Sequence, residues 1–272
     1  MTRMVQQKSL SFLFRMKKLN PFWGISVLFL FISSCVYDSA VIPTDCTNIH
    51  WTYHMTSSGQ DHWVDLCTGY SACSGMSQSP VNISGAMTKP TLSKLIFSYS
   101  TTPAEIENNG HTIEFVCEPG NKLTIGGTQY ELLQFHYHAQ SEHQVDGNNY
   151  PLEVHFVHKA SDSDYAVVGI FFAEGTSNSL FTEYLSHFPH EEGTYADPSE
   201  IELEELLPVN KSYFHYSGSL TTPPCSEVVH WYVLKNTITA SASQINQLQA
   251  LLKNNSRQIQ GLNGRKIYSF DE

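Results

Sequence analysis

Two short stretches, Gln134-Phe135-His136-Tyr137-His138 and Glu153-Val154-His155-Phe156-Val157, repeat polar side chains at every second position among apolar ones. Side chains of a β-strand alternate between its two faces, so His136 and His138 lie on one face of the first strand. His155 likewise shares a face of the second strand with the glutamate two residues before it. If the two strands are neighbours, three imidazoles meet on one side of a sheet.

Three imidazoles favour a catalytic zinc site. Neutral histidines are good ligands for Zn²⁺, and three protein ligands leave the fourth tetrahedral position for water. Gln134 and Glu153 each precede a histidine by two positions, so we expect them to accept hydrogen bonds from imidazole N–H groups. Histidines in sheets are also commonly ordinary hydrogen-bonded residues, and we interpret the others that way: His143, His158, His187, His190 and His230.

The surrounding sequence is also typical of strands. Alternating or continuously apolar segments rich in Val, Ile, Phe and Tyr lie at 92–100, 111–118, 121–127, 165–175 and 227–236. Helices are few: one is predicted from a cap at Ser243 to about Asn255, and a short one over 180–188. The pattern predicts a single, mainly β domain with a large sheet.

Composition agrees with a folded, acidic domain. The chain has 272 residues, of which 41% are hydrophobic and 12% aromatic, enough for a substantial core. Fifteen Lys and Arg against 26 Asp and Glu give a formal net charge of −11, and five of the basic residues precede position 35. So acidic a domain repels phosphate backbones and anionic lipid. This charge argues against a nucleic-acid partner and for a small-molecule substrate.

The first 35 residues have the composition of a targeting segment. A basic stretch ends at Lys17-Lys18, and an apolar run over 22–32 is too short to span a bilayer comfortably. Two serines then precede Cys35, which resembles the lipobox of bacterial lipoproteins. An uncleaved anchor or an ordinary secretory signal are the alternatives, and each implies export. We predict a lipoprotein-type signal peptide over 1–34, a tether over 35–45 beginning at lipidated Cys35, and a folded domain over 46–272.

Five further cysteines follow Cys35: Cys46, Cys67, Cys73, Cys117 and Cys225. Export to an oxidising periplasm or cell surface favours disulfides. Cys117 continues the alternation of 111–117, so we expect it to be a buried free thiol. The other four allow three pairings, which the residues alone leave open.

Six motifs, in chain order, resemble those of the α-class carbonic anhydrases between about residue 50 and about residue 270. They are 78–83 (QSPVNI), 108–111 (NNGH), 134–138 (QFHYH), 141–143 (SEH), 153–155 (EVH) and 219–225 (SLTTPPC). The resemblance implies a central, mostly antiparallel sheet of about ten strands with a few short peripheral helices. It implies Zn²⁺ on His136, His138 and His155. It also implies reversible hydration of carbon dioxide to bicarbonate and a proton by a zinc-bound hydroxide.

The resemblance implies roles for further residues. Thr221 would accept the hydrogen bond of the hydroxide and donate its own to Glu142, and His111 would be the proton shuttle. Tyr216 would belong to a buried network, while Tyr53, Asn109 and Thr222 would order water. The carbon dioxide pocket would comprise Val157, Val167, Leu220 and Thr222. Exported members have a disulfide at the positions of Cys73 and Cys225, which leaves Cys46 to pair with Cys67.

Other functions fit the residues less well. Glu142 after the histidine pair matches half of the cupin motif, in which iron or manganese binds, but the second half of that motif is missing. A metallo-β-lactamase-like hydrolase would need aspartate at position 140 and histidine at 141. A non-catalytic, carbonic-anhydrase-like binding module would typically lack a zinc histidine, and this chain keeps all three. Membrane contact is expected only through the lipid anchor, and pairing with a second copy as a homodimer stays open.

Overall fold

Fifteen strands, three α-helices and four 3₁₀ helices make up the regular structure of residues 42–272, which are those that the computed structural model describes. The strands are β1 Asn82–Ile83, β2 Met87–Thr88, β3 Ile96–Ser98, β4 Thr101–Asn108, β5 Ile113–Val116, β6 Lys122–Ile125, β7 Thr128–His138, β8 Gln144–Val145, β9 Leu152–Ser161, β10 Asp164–Glu174, β11 Gly193–Glu202, β12 Tyr213–Gly218, β13 Val229–Leu234, β14 Ile238–Ala240 and β15 Tyr268–Phe270. The α-helices are α1 Trp63–Leu66, α2 Ser179–Tyr184 and α3 Ala242–Leu252. The 3₁₀ helices cover Gln60–His62, Thr68–Ser74, Leu185–His187 and Leu203–Leu206.

One sheet contains thirteen of these strands. Ten of them follow one another in the order β11-β4-β5-β7-β9-β10-β13-β12-β15-β2, with β14 beside β10 and the β3–β6 pair beside β7. Only three pairings in this sheet are parallel, namely β10 with β13, β10 with β14, and β15 with β2. Strands β1 and β8 form a separate parallel pair. The predicted mainly β fold, with a mostly antiparallel central sheet of about ten strands, is confirmed.

The large sheet has one aromatic and one histidine-bearing face where β7 and β9 pair. In the register of these strands, Phe135 lies opposite Phe156 and His136 opposite His155. The rings of Phe115, Phe135 and Phe156 stack across three neighbouring strands, with centroid separations of 4.6 and 5.1 Å. Burial of such a ring stabilises the fold by about 2 kcal/mol. Because these rings lie in the core on one side, the imidazoles are held on the other.

The C-terminal helix begins earlier than predicted. The Ser241 Oγ accepts a hydrogen bond from the Gln244 N–H, and the Gln244 side chain accepts one from the Ser241 N–H. This reciprocal capping box satisfies two helix-terminal donors, so the cap predicted at Ser243 is wrong. Lys253, in the left-handed region at φ 51°, ends the helix before the predicted end at Asn255.

Both expected disulfides are present. Cys46 is joined to Cys67 and Cys73 to Cys225, while Cys117 is a buried free thiol. The second bridge spans 152 positions of the sequence and ties the start of the domain to the segment that follows β12.

Loss of the Cys73–Cys225 bridge should lower the melting temperature more than loss of Cys46–Cys67. The chain-entropy model gives roughly 5 kcal/mol for the long loop and roughly 3 kcal/mol for the short one. Melting curves of C73S/C225S and the matched C46S/C67S variant measure the difference. An equal or smaller loss in C73S/C225S would contradict this prediction.

No helix within residues 42–272 is long and apolar enough to cross a membrane. The predicted signal peptide, Cys35 and the first residues of the predicted tether lie outside the described residues.

Candidate metal centre

Three imidazoles converge where β7 ends beside β9. Ring centroids are 5.0 Å apart for His136 and His138, 5.3 Å for His136 and His155, and 4.5 Å for His138 and His155. One nitrogen of each ring lies within 4.8 Å of one nitrogen of each other ring. His138 and His155 are buried, whereas His136 is partly exposed. The cluster therefore meets solvent at His136.

Each of these imidazoles has one ring nitrogen engaged by a protein oxygen. The contacts are His136 Nδ1 to Gln134 Oε1 at 2.8 Å, His138 Nδ1 to the Asn255 main-chain oxygen at 2.7 Å, and His155 Nε2 to Glu153 Oε1 at 2.9 Å. All three oxygens accept, so the engaged nitrogens carry the protons. The lone pairs of the neutral rings are then on His136 Nε2, His138 Nε2 and His155 Nδ1.

A buried hydrogen-bond chain continues from His155 into the core. Glu153 also accepts from the main-chain N–H of His143 at 2.9 Å and from its Nδ1 at 2.8 Å. The Nε2 of His143 is 2.7 Å from the Tyr216 hydroxyl, which is 2.9 Å from Ser79 Oγ. His143, Glu153 and His155 also have ligand atoms close enough to hold a metal ion. Because these atoms are hydrogen-bonded to one another, we interpret the group as a support for His155 and not as a second metal site.

The electrostatics of the cluster favour neutral His136 and His138 and an ionised Glu153. Burial and the neighbouring imidazoles hold the pKa of His136 well below its usual range. Burial also lowers the pKa of His138. Burial alone would raise the pKa of Glu153, but His143 and His155 outweigh it and hold that pKa well below its usual range. Neutral imidazoles are the form that binds a metal ion.

Two unpaired buried atoms test whether a metal fits this site. Within residues 42–272, His138 Nε2 and Glu142 Oε2 are buried and have no hydrogen-bond partner. They are 3.6 Å apart, and Glu142 Oε2 is 3.9 Å from His155 Nδ1. Buried polar atoms are normally paired. A cation among the three free imidazole nitrogens would satisfy His138, so the residues present fit Zn²⁺.

Glu142 and Thr221 are not hydrogen-bonded to each other in the described part of the chain. Glu142 Oε1 accepts instead from the main-chain N–H of Arg257 at 2.7 Å. Thr221 is buried in an irregular segment three residues after β12. Near it, the indole N–H of Trp231 donates to the main-chain oxygen of Ser219 at 3.0 Å. The hydrogen bond between Thr221 and Glu142 that the resemblance implies is therefore not among the contacts of residues 42–272.

Three of the four residues expected to hold carbon dioxide pack in one apolar cluster. Val157 on β9 lies opposite Val167 on β10 in the strand register. Both are buried in one apolar cluster, against which the half-buried Leu220 packs. Thr222 is also half-buried, and its main-chain oxygen accepts from the Cys225 N–H at 2.8 Å. Val157 follows His155 by two positions, so this apolar cluster begins on the histidine-bearing face.

His111 lies at a cavity of about 290 Å³ that is open to solvent. His50, His54, His190 and Glu192 also line it. The His111 ring stacks on Trp51 with centroids 3.7 Å apart and an interplanar angle of 6°. Burial and the neighbouring His50 lower the pKa of His111, which Glu192 opposes.

Two residues expected to order water have other contacts. The Asn109 side-chain oxygen accepts from the main-chain N–H groups of His111 and Thr112, both at 3.0 Å, and so shapes the turn that presents His111. Tyr53 is buried and packs edge-on against Trp51, with centroids 5.3 Å apart.

Three supporting residues were not found from the sequence. His143 was interpreted as an ordinary sheet histidine, although it links Glu153 to Tyr216. Asn255 and Arg257 contact the site through main-chain groups, 117 and 115 positions away from His138 and Glu142. No side-chain pattern signals a main-chain contact of that separation.

The comparisons with known proteins identify the family of this chain. A family model described as eukaryotic-type carbonic anhydrase matches residues 58–271. A carbonic anhydrase of Pectobacterium atrosepticum is 39% identical over 241 residues, which cover 88% of this chain and 96% of that protein. A solved hyperthermostable carbonic anhydrase from an active hydrothermal vent chimney is 42% identical with a TM-score of 0.78, over 82% of this chain and 100% of that one. An α-carbonic anhydrase from Thermovibrio ammonificans, solved with the inhibitor sulfanilamide, is 39% identical with a TM-score of 0.77, over 81% and 99% of the chains. The chain therefore belongs to the α-class, or eukaryotic-type, carbonic anhydrase family of enzymes.

Proposed function

We propose that this enzyme binds Zn²⁺ through His136, His138 and His155 and catalyses the reversible hydration of carbon dioxide to bicarbonate and a proton. The observation that carries the proposal is the convergence of three imidazoles, each with one nitrogen engaged by a protein oxygen and the other available to a metal ion. Zn²⁺ held in this way supplies a water ligand that ionises near pH 7.

The chain's own residues orient the reactants. An ionised Glu142 only accepts hydrogen bonds, so its free Oε2 can accept one from the Thr221 hydroxyl. The Thr221 oxygen is then an acceptor for the reacting water, and a lone pair of that water points at the substrate. Val157, Val167 and Leu220 offer an apolar surface for carbon dioxide, and we assign Thr222 to the same pocket as a polar residue that orders water. His111 receives the released proton and passes it to solvent through the cavity beside it.

Stopped-flow measurement of carbon dioxide hydration with and without a chelator tests the proposal. The protein should be active as isolated, lose activity on metal removal, and regain it with one equivalent of Zn²⁺. Recovery with Fe²⁺ or Mn²⁺ but not with Zn²⁺ would favour the cupin-type alternative. Zinc binding without any hydration would favour a non-catalytic binding module.

We also propose that the enzyme is exported and anchored through lipid on Cys35. The motif of residues 22–35 supports this, as does the presence of two disulfides. Cys35→Ser should move the protein from the membrane fraction to the soluble one, because a diacyl anchor binds far more strongly than surface contacts. Cys117→Ser, which changes a cysteine inside the fold, is the control and should leave the distribution unchanged. An unmodified N-terminus at another residue in mass spectra would refute the lipoprotein assignment.

A further inference from the structure

We infer that Arg257 is a positioning residue for Glu142: its guanidinium is anchored to the segment 73–79, and this anchor places its main-chain N–H on the Glu142 carboxylate. The inference deepens the proposed function and rests on it for the role of Glu142. The N–H donates to Glu142 Oε1 at 2.7 Å and is the one hydrogen bond to that carboxylate within residues 42–272.

The Arg257 side chain explains how an irregular segment can hold that N–H in place. Residue 257 belongs to no helix or strand. Its guanidinium is buried and donates through Nη1 to Gln78 Oε1 and the Ser79 main-chain oxygen, both at 2.8 Å, and through Nη2 to the Cys73 main-chain oxygen at 3.3 Å. These acceptors come from the other end of the domain, 178 to 184 positions away. The three bonds therefore fix the backbone of residue 257 where no secondary structure does.

The charge of Arg257 also points to Glu142. The guanidinium lies over the buried ring of Trp63, 5.3 Å from its centroid, and has no carboxylate ion-pair partner in the described residues. Burial lowers the pKa of Arg257 to about 10, while the charge of Glu142 opposes that shift, so the group stays protonated at neutral pH. A buried cation without a partner is costly. The carboxylate whose charge offsets that cost is Glu142.

Fixing one oxygen of Glu142 determines the direction of the other. With Oε1 bound to the Arg257 N–H, Oε2 faces the histidine cluster, 3.6 Å from His138 Nε2. This is the oxygen that the proposed function assigns to the Thr221 hydroxyl. If the N–H moved, the carboxylate could rotate and the Thr221 hydroxyl would lose a defined acceptor.

Arg265 offers a matched control. It is also a partly buried arginine that holds main-chain oxygens, with Nη2 2.7 Å from the oxygen of Gln78 and Nη1 3.0 Å from that of Ser217. It lies over the ring of Tyr216 at 5.6 Å but makes no hydrogen bond with Glu142. Arg265→Met therefore removes a comparable set of structural bonds without touching the carboxylate.

The first experiment is a double-mutant cycle. Arg257→Met should lower kcat/KM by roughly ten-fold or more with zinc content unchanged, whereas Arg265→Met should change it less than about two-fold. In the Glu142→Gln background, Arg257→Met should lower kcat/KM by less than about two-fold, because the carboxylate that Arg257 positions is already absent. Losses that multiply in the double variant, or equal losses for the two arginines, would overturn the inference.

The second experiment does not depend on activity or on zinc. Gln78→Ala removes one acceptor of the guanidinium and leaves residue 257 unchanged. In the zinc-free protein, this variant should speed hydrogen exchange of the Arg257 amide by about ten-fold, while the Leu248 amide of α3 keeps its rate. Unchanged exchange at Arg257 would overturn the inference, and it would do so even if Arg257→Met fails to fold. Absence of hydration activity in the unmodified enzyme would instead refute the proposed function.

Discussion

Replacement of any one of His136, His138 and His155 by alanine is expected to remove both bound zinc and carbon dioxide hydration. Two imidazoles cannot complete the tetrahedral site, and each of the three has its second nitrogen already engaged by a protein oxygen. The loss should exceed the 10- to 100-fold that removal of a supporting partner typically costs. Metal analysis and stopped-flow assays of the three variants measure it.

His158 is the matched control for these variants. It lies on β9 with His155 but on the opposite face, fully buried, with Nδ1 3.1 Å from the Ala166 oxygen and Nε2 2.5 Å from the Tyr99 hydroxyl. Burial lowers its pKa to about 4, so it is a neutral imidazole on the same strand as His155. His158→Ala should lower stability and retain zinc. Full zinc occupancy with near-normal turnover in any of the three ligand variants would remove that histidine from the metal site.

His111→Ala is expected to lower kcat in dilute buffer by ten-fold or more. A group with a pKa near 7 releases its proton directly to water at only about 10³ s⁻¹, because the diffusional limit of about 10¹⁰ M⁻¹s⁻¹ is multiplied by about 10⁻⁷ M. Fast enzymes of this chemistry reach roughly 10⁶ s⁻¹. A histidine at a cavity that is open to solvent can bridge that difference.

The kinetic signature of His111→Ala separates proton transfer from other effects. Its kcat/KM should barely change, because carbon dioxide attack precedes proton release. Added imidazole should restore much of kcat. Burial and His50 lower the pKa of His111, so the unprotonated, accepting form should already be available below the usual pH range of histidine. His190→Ala, at the same cavity, is the control and should keep kcat within about two-fold. An unchanged kcat in His111→Ala would assign the proton route to another group.

The strands with the clearest apolar periodicity were predictable. All seven apolar segments identified from the sequence contain strands, including β7, β9 and β10. Strand β11 was not predicted, because its sequence GTYADPSEIE contains proline and acidic residues and is mostly exposed. It lies at the edge of the sheet, where β4 is its one partner among the strands of residues 42–272. An edge strand with one solvated side does not need a continuous apolar pattern, so it gives no such signal.

Part of the candidate site was likewise predictable from the sequence, and part was not. A period of two places His136 beside His138 and Gln134, and Glu153 beside His155, because these relations are internal to one strand. Only the fold specifies that β7 and β9 are neighbours. Their pairing register then places His136 opposite His155.

Strand periodicity can be read from the sequence, so the sequence predicted which side chains share a face and that the histidines lie beside apolar residues. The hydrogen-bond partners of the polar side chains at the site could be identified only from the fold. Asn255 engages His138, Arg257 engages Glu142, and His143 joins Glu153 to Tyr216. Asn255 and Arg257 act through main-chain groups of an irregular segment more than 110 positions away, and His143 and Tyr216 are 73 positions apart. Periodicity reports only local geometry, so contacts between distant irregular segments follow from packing of the whole domain.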